Sequence, residues 1–472
     1  GLYHSDGQIL EEVYVYGSFV QSKMYQNDIR CSDCHDVHSL KLVKDGNDLC
    51  LQCHRGDTYD SYDHHFHQKI YEGKPSEGAL CVKCHMPEQP YMVVDYRADH
   101  SIRKPRPDLT AEIGTPNACS QSGCHDDKPL RWLLDYYERW YGKAKKPHYG
   151  TVFAAGREQK PEALSELIRM AGDDLYPAIV RATALSLLGQ YPGAESQAAY
   201  NRALSDEEAL LRYTAVEQVG AENSELLVDR VAPLLFDPVR AIRMLAASRL
   251  AGILDEQMKP YQRVALEEAL EEHVEAMQYS LDFSFAGHNL GNLYSQLGDP
   301  EKAETYYRSA IEIDDLFYPA KINLAVLYNS SGRNDEAEAL LREVLEHYPQ
   351  MADAAYSLGL LMAELNRFPE AAEYLSQASE GMPGHSRVHY NLGLTLQYLG
   401  RASEAETAFT KALEIEPSNL DYLYALADHY VKTSDWLKAL EVAERMMVVH
   451  PENPLGRDLK ANIERSLGGG PR

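Results

Sequence analysis

The chain has 472 residues, 46 Lys+Arg against 72 Asp+Glu for a formal net charge of -26, 44% apolar and 25% charged residues, and 8 Cys. These are the fractions of ordinary globular domains, about three of them at this length, and they exclude a disordered, collagen-like or disulfide-dense chain. The acidic balance excludes non-specific binding to nucleic acid or anionic membrane, and no run of eighteen apolar residues reads as a membrane-spanning helix.

The chain opens on Gly1-Leu2-Tyr3-His4, with no starting Met, basic stretch or apolar leader, and reads as processed or cut from something longer. All eight cysteines precede residue 125, in four pairs. Cys31-Ser32-Asp33-Cys34-His35, Cys50-Leu51-Gln52-Cys53-His54 and Cys81-Val82-Lys83-Cys84-His85 each follow C-x-x-C-H, the pattern of covalent c-type haem attachment. The fourth pair, Cys119 and Cys124 followed by His125, has four residues between its thiols. Two thiols within about one helical turn can each add to a vinyl group on one porphyrin edge, and the adjoining His then reaches the iron as proximal ligand. Zinc is the competing reading, because fifteen residues separate Cys34 from Cys50 and suit a zinc ribbon. Zinc leaves the His after every second Cys unexplained. The regular His decoration also argues against disulfides.

Each of the four haems c needs a second axial ligand. Eleven of the 18 His lie before residue 150, and removing the proximal His35, His54, His85 and His125 leaves His4, His38, His64, His65, His67, His100 and His148. His38 follows His35 by three residues and cannot swing to the opposite face of the same porphyrin, so as a ligand it serves a neighbouring haem. One ligand is expected from Asp63-His64-His65-Phe66-His67, with His67 the choice and His64 and His65 left open. His100 and His4 fill the remaining two positions, and His148 reads as a surface residue held in reserve. An iron with two His ligands stores and passes single electrons, whereas catalysis on a small ligand needs an open position. Four haems in about 125 residues also leave too little chain for a separate apolar core. The porphyrins are expected to be that core, packed closely enough for electron hopping.

Beyond residue 150 the pattern becomes helical and repetitive. Val180-Arg181-Ala182, Leu211-Arg212-Tyr213 and Ile242-Arg243-Met244 open segments spaced by 31 residues, which looks like a HEAT-type array of paired helices. After residue 280 the period is 34. Leu290-Gly291, Leu324-Ala325, Leu358-Gly359, Leu392-Gly393 and Leu426-Ala427 keep it, and so do Ala303, Ala337, Ala371, Ala405 and Ala439. Pro349, Pro383, Pro417 and Pro451 close four of the units. This resembles the tetratricopeptide repeat, whose small residues let two antiparallel helices touch. Asn289, Asn323 and Asn391 stand where such repeats present Asn to a peptide backbone, or serve as hydrogen-bonded scaffold. The Lys residues of a carboxylate clamp are missing. The seven His of the repeats read as ordinary surface or core residues.

The expected fold is all-α: an irregular and helical haem-packed domain (1–150), HEAT-like repeats (151–280), five tetratricopeptide repeats (281–456), then a capping helix and tail (457–472). Residues 1–150 carry 18 Lys+Arg and 22 Asp+Glu, so most of the negative charge lies on the repeats. The opening Gly1–Gly7 stretch, the run into Cys31 through His38, the Tyr91–Asp108 segment with His100, and Pro116-Asn117-Ala118-Cys119 look like multihaem c-type cytochromes of the cytochrome c554-like group fused to C-terminal tetratricopeptide repeats. In that family an earlier part with further haem motifs usually precedes the matching region, and a shorter Cys-x-x-Cys-His is usual at the fourth site. The five-residue step from Cys119 to Cys124 resembles sites in tetrahaem cytochromes c3.

The expected function is therefore single-electron transfer by a tetrahaem cytochrome, periplasmic or extracellular because haem c is attached outside the cytoplasm. The repeats would dock redox partner proteins, a peptide, or neighbouring subunits of an extracellular filament. The alternative is a multihaem reductase or oxidase of a small nitrogen or sulfur oxyanion, which needs an open iron and a basic pocket. Arg97, Arg103, Lys104 and Arg106 around His100 are the cationic cluster available for it. A third reading makes the haem part vestigial and the repeats a scaffold.

Overall fold

The computed structural model describes residues 2–468 except 12, 93, 122, 144–146, 222 and 254–256. Gly1 and the expected tail through Gly469 and Gly470 lie outside the described residues. The fold is all-α apart from two short antiparallel ribbons, Ile70–Tyr71 with Lys74–Pro75 and Glu88–Tyr91 with Asp95–Ala98. Among the described residues no helix is long and apolar enough to cross a membrane. The chain divides into two compact units, Gly1–Leu270 and Glu271–Arg472.

The first 130 residues form short helices, turns and the two ribbons. Prolines aside, the buried apolar side chains described there are Ile9, Ala79, Leu109 and Ala118. Val37 and Leu40 remain 65% and 75% exposed, and Ile70 and Tyr71 are exposed too. A stretch of this length cannot hold a fixed fold on so small a core. Instead, a buried polar knot ties its segments together. Arg103 donates to the Asp6 carbonyl, the Tyr149 hydroxyl (2.8 Å), Gln21 Oε1 (2.9 Å) and Ser101 Oγ (2.7 Å). Tyr149 donates to the same Asp6 carbonyl at 2.7 Å, and Asp99 accepts from the amides of Ile9 and Ser101. Tyr149 opens the helix Tyr149–Arg157, whose Arg157 donates to the Tyr3 carbonyl at 3.0 Å. The N-terminal segment is thereby pinned to the helices that follow residue 150, within the first unit.

Those helices pair through the 31-residue period. Val180, Leu185, Val216, Ile242 and Leu250 share one apolar core with Leu167 and Met170. Arg181 bonds Asp206 at 2.5 Å, and one period later Arg212 bonds Asp237 at 2.6 and 3.1 Å. Arg212 also caps the Asp206 carbonyl at 2.8 Å, as Arg243 caps that of Asp237. Arg212 and Arg243 thus close the start of their own repeats, and Arg181 and Arg212 also ion-pair with the repeat that follows. Desolvation by itself would raise the Asp237 carboxyl, but the Arg212 guanidinium and the Val239 amide outweigh it and hold it below the usual carboxylate value.

The second unit stacks five helix pairs, from Ser284–Gln296 and Pro300–Ile313 to Leu420–Lys432 and Trp436–Val449, and ends in Leu455–Gly468. The glycines of the 34-residue period are packing residues. A Cβ on Gly291 would lie 2.4 Å from the Tyr307 ring, on Gly359 2.8 Å from Leu375 Cγ, and on Gly393 2.7 Å from the Phe409 ring. Ion pairs join successive repeats: Arg333 to Glu304 at 2.7 Å, Arg367 to Glu338 at 2.6 Å and Lys438 to Glu406 at 2.8 Å. Asn323 donates to Asn292 at 2.7 Å and Asn391 to the Tyr356 hydroxyl at 2.8 Å, so these amides bond across neighbouring repeats.

Two outcomes are expected. Arg212→Ala strands the nearly buried Asp237 carboxylate and lowers stability by about 3–5 kcal/mol, and Asp237→Ala added to it costs less than Asp237→Ala alone, both measured by thermal melting. Gly393→Ala costs about 1–3 kcal/mol by overpacking, and Phe409→Leu in the same chain recovers part of the lost melting temperature.

Candidate haem-binding site

The cysteine motifs sit on single turns. Cys31–Cys34 and Cys81–His85 are short helices, Cys50 lies in the helical turn Gly46–Gln52, and Cys119 in Ala118–Ser120. The Asn117 side chain caps the last of these by accepting from the amides of Cys119 and Ser120. Successive motifs come close enough for their thiols to affect one another's ionisation: Cys34 with Cys53, Cys50 with Cys81, and Cys84 with Cys119 and Cys124. Burial pushes the Cys84 thiol up to about 11 and raises Cys119 as well. The Cys81 thiol, which accepts a hydrogen bond from Cys50, falls to about 7.

The histidines are arranged in facing pairs drawn from distant segments. The His35 and His100 rings have centres 6.3 Å apart and planes inclined by 29°, and those of His64 and His85 have centres 6.2 Å apart and planes inclined by 13°. His67 and His125 face each other at 6.0 Å. Two imidazoles bound on opposite sides of one metal ion would have ring centres about 6 Å apart, from two metal–nitrogen bonds of about 2 Å and about 1 Å within each ring. The three pairs fit that spacing.

Hydrogen bonds at the other ring nitrogen support the same role. Nδ1 bonds a backbone carbonyl in four of these six rings: His35 with Leu40 (3.0 Å), His85 with Arg103 (2.7 Å), His100 with Ala98 (2.8 Å), and His67 with His65. A proton held on Nδ1 leaves Nε2 bare for a metal. Burial also lowers His85 and His125 below the ordinary histidine value, which favours the neutral, ligating form. His148 is placed differently. Its Nδ1 accepts from the Gly150 amide at 3.0 Å and caps a helix, while burial pushes its pKa down to about 4.

The structure thus brings His100 and His67 onto proximal histidines. It also uses His64, so that two ligand candidates come from one five-residue stretch. The helix Tyr62–His65 ends at Phe66, whose φ of 53° turns the backbone left-handed and sends His64 and His67 to different partners. His38 is exposed on the turn capped by Asp36, and His4 lines a 240 Å³ cavity with Tyr149, Phe153 and Arg157. Neither stacks on a proximal His. The ring beside His54 is that of Tyr59, edge-on at 5.5 Å, and Tyr59 stands edge-on to His64 as well, at 5.4 Å.

A row of aromatic residues that the sequence reading passed over lies beside the last pair. On the helix Leu130–Tyr141, Trp132 packs against His125 (5.1 Å), Tyr136 against Trp132 (4.3 Å) and Trp140 against Tyr136 (5.3 Å). Its i, i+4, i+8 spacing was the available signal. The three arginines of the basic cluster are engaged: Arg97 pairs with Asp95 and covers the Tyr91 ring, Arg103 is held in the polar knot, and Arg106 pairs with Asp108.

Comparison with known proteins agrees with two of these features. The doubled CXXCH motif matches residues 24–58, and the tetratricopeptide repeat matches residues 294–365, 330–393 and 386–419. No curated protein matches the chain significantly. Among solved structures, YrrB, described as a TPR protein with an unusual peptide-binding site, is 23% identical over 40% of this chain and 97% of its own, with a TM-score of 0.35. MamA from Desulfovibrio magneticus RS-1 is 19% identical over 36% of this chain and 96% of its own, with a TM-score of 0.34. The doubled motif indicates covalent haem c attachment, and the repeats indicate protein interaction.

Removing either member of the divergent pair tests the geometry. His64→Ala and His67→Ala are each expected to create one carbon-monoxide-binding haem in the reduced protein, and the double variant two, counted from the Soret shift.

Proposed function

We propose that this protein is a tetrahaem c-type cytochrome of the cytochrome c554-like group that passes single electrons along closely spaced haems outside the cytoplasm. Haem would be held at Cys31 and Cys34, Cys50 and Cys53, Cys81 and Cys84, and Cys119 and Cys124. The proximal ligands would be His35, His54, His85 and His125. The observation that carries the reading is the three facing imidazole pairs, each joining a motif histidine to one from a distant segment. In this assignment His100 is the partner of His35, His64 of His85, and His67 of His125.

His38, exposed on the turn that follows the first motif and unable to reach the far face of that motif's own haem, is assigned to the His54 site. His4, the other histidine expected to serve an iron, would be available across a subunit boundary. Haem supplies a reversible one-electron couple. The chain's own part would be to offer a second histidine to each iron, which would deny it to small ligands, and to keep successive attachment turns close. The polar knot at Arg103 serves this directly, since its backbone carbonyl accepts from His85 Nδ1 and its amide donates to the His85 carbonyl at 2.9 Å. The repeats serve as a docking arm for a redox partner or for neighbouring subunits, including those of a filament.

His54 also favours a second reading, because no described histidine stacks on it. An open iron there would suit a reductase of a small oxyanion, but the arginines expected to bind such an anion are already paired. Intact-mass measurement with low-temperature EPR of the oxidised protein separates the two. Four haems with only low-spin signals support the carrier, whereas a high-spin signal that shifts on adding nitrite supports the enzyme. A mass corresponding to fewer than four haems contradicts the tetrahaem assignment.

A further inference from the structure

His64 and His67 are three residues apart, yet they face His85 and His125 respectively. Their divergence depends on Phe66, which adopts a left-handed backbone conformation at φ 53°. A bulky non-glycine residue stays there only when its surroundings hold it. Within its own segment Phe66 touches Tyr62, edge-on at 6.0 Å, and the contacts from elsewhere in the chain come from one end of the helix Leu130–Tyr141. The Phe66 ring stacks flat on Trp140, with centres 4.9 Å apart and planes inclined by 3°, and meets Tyr141 edge-on at 5.5 Å. The Tyr141 hydroxyl donates to the His64 carbonyl at 2.8 Å. Trp140 also packs against His67 at 6.3 Å, and the same helix face continues through Tyr136 to Trp132, which braces His125 on the other side of that pair.

Trp132 has a particular task. Nδ1 of His35, His85, His100 and His67 is steered by a backbone carbonyl, whereas among the described residues neither His64 nor His125 makes such a bond. His125 also follows the widest cysteine spacing, from Cys119 to Cys124. Packing against Trp132 substitutes for the missing hydrogen bond in setting the ring's orientation.

From this geometry we infer that the aromatic face of Leu130–Tyr141 is the positioning element for two haem irons at once: Trp140 and Tyr141 hold the Phe66 turn that presents His64 and His67, and Trp132 fixes His125. The inference rests on the haem assignment above. None of the three side chains reaches the metal; each acts through a histidine.

The test is the ligation state of Trp140→Leu and Trp140→Phe, with haem counted by intact mass in wild type and variants. Trp140→Leu is expected to keep its haems and gain up to two carbon-monoxide-binding irons per chain over wild type, with altered low-spin EPR signals. Trp140→Phe, which keeps a ring against Phe66, is expected to behave as wild type. Trp132→Leu is expected to perturb the low-spin signal of one iron alone. Trp140→Leu fully loaded and unchanged in carbon monoxide binding and EPR, with only a lower melting temperature, would overturn the inference. If Trp140→Leu loses haem or fails to fold, Tyr141→Phe decides. Deleting that hydroxyl is expected to shift the signal of the His85 iron, and an unchanged spectrum counts against the proposal. A wild type lacking haem at the third or fourth motif would instead remove the haem assignment itself.

Discussion

The amino-terminal part of this protein has too small an apolar core to order itself, and what it brings together from distant segments is imidazoles. Four buried apolar side chains, prolines aside, cannot offset the conformational entropy of some 130 ordered residues, which runs at about 1–2 kcal/mol for each backbone. Three histidine pairs instead join residue 35 to 100, 64 to 85 and 67 to 125. An iron held between the two rings of each pair would close a loop, as a metal clip does. With haem bound, the exposed apolar groups such as Val37, Leu40, Ile70 and Tyr71 would have porphyrin surface to cover. Fold and electron path would then have one cause, since residues that bring irons together also bring the chain together.

The second dependence is on rigid support. The polar knot at Arg103 is built from charged and hydroxyl groups almost withdrawn from water, where hydrogen bonds are strong only if every partner is present. It links the N-terminal segment, the carbonyl that orients His85, and the first helix after residue 148. The repeats of the second unit carry 16 Lys+Arg against 32 Asp+Glu, yet their inner rungs are neutral ion pairs between successive hairpins. The surplus acid is left for the surface, where it suits a basic partner.

What was legible in the sequence follows from which interactions are local. The cysteine motifs and the 31- and 34-residue periods are short-range patterns, and the small residues opposite Tyr307, Leu375 and Phe409 explain why the longer period holds. His100 and His67, chosen as candidates among few histidines, do face motif histidines. His64 was left open because a single left-handed residue, Phe66, decides that two neighbours part company, and no periodicity encodes it. The tryptophan and tyrosine face of Leu130–Tyr141 read as ordinary amphipathic helix, since its meaning lies in what it touches. The division after residue 270 was equally hidden, because Tyr149 and Arg157 reach back to Asp6 and Tyr3 across more than 140 residues.

The most direct test of the account is an experimental structure of the haem-loaded protein with anomalous difference density collected at the iron edge. Iron is expected between Nε2 of His35 and His100, of His64 and His85, and of His67 and His125, with a fourth iron on His54. Iron bound by a different pairing of these histidines, or a zinc edge at the cysteine motifs in place of iron, would contradict it.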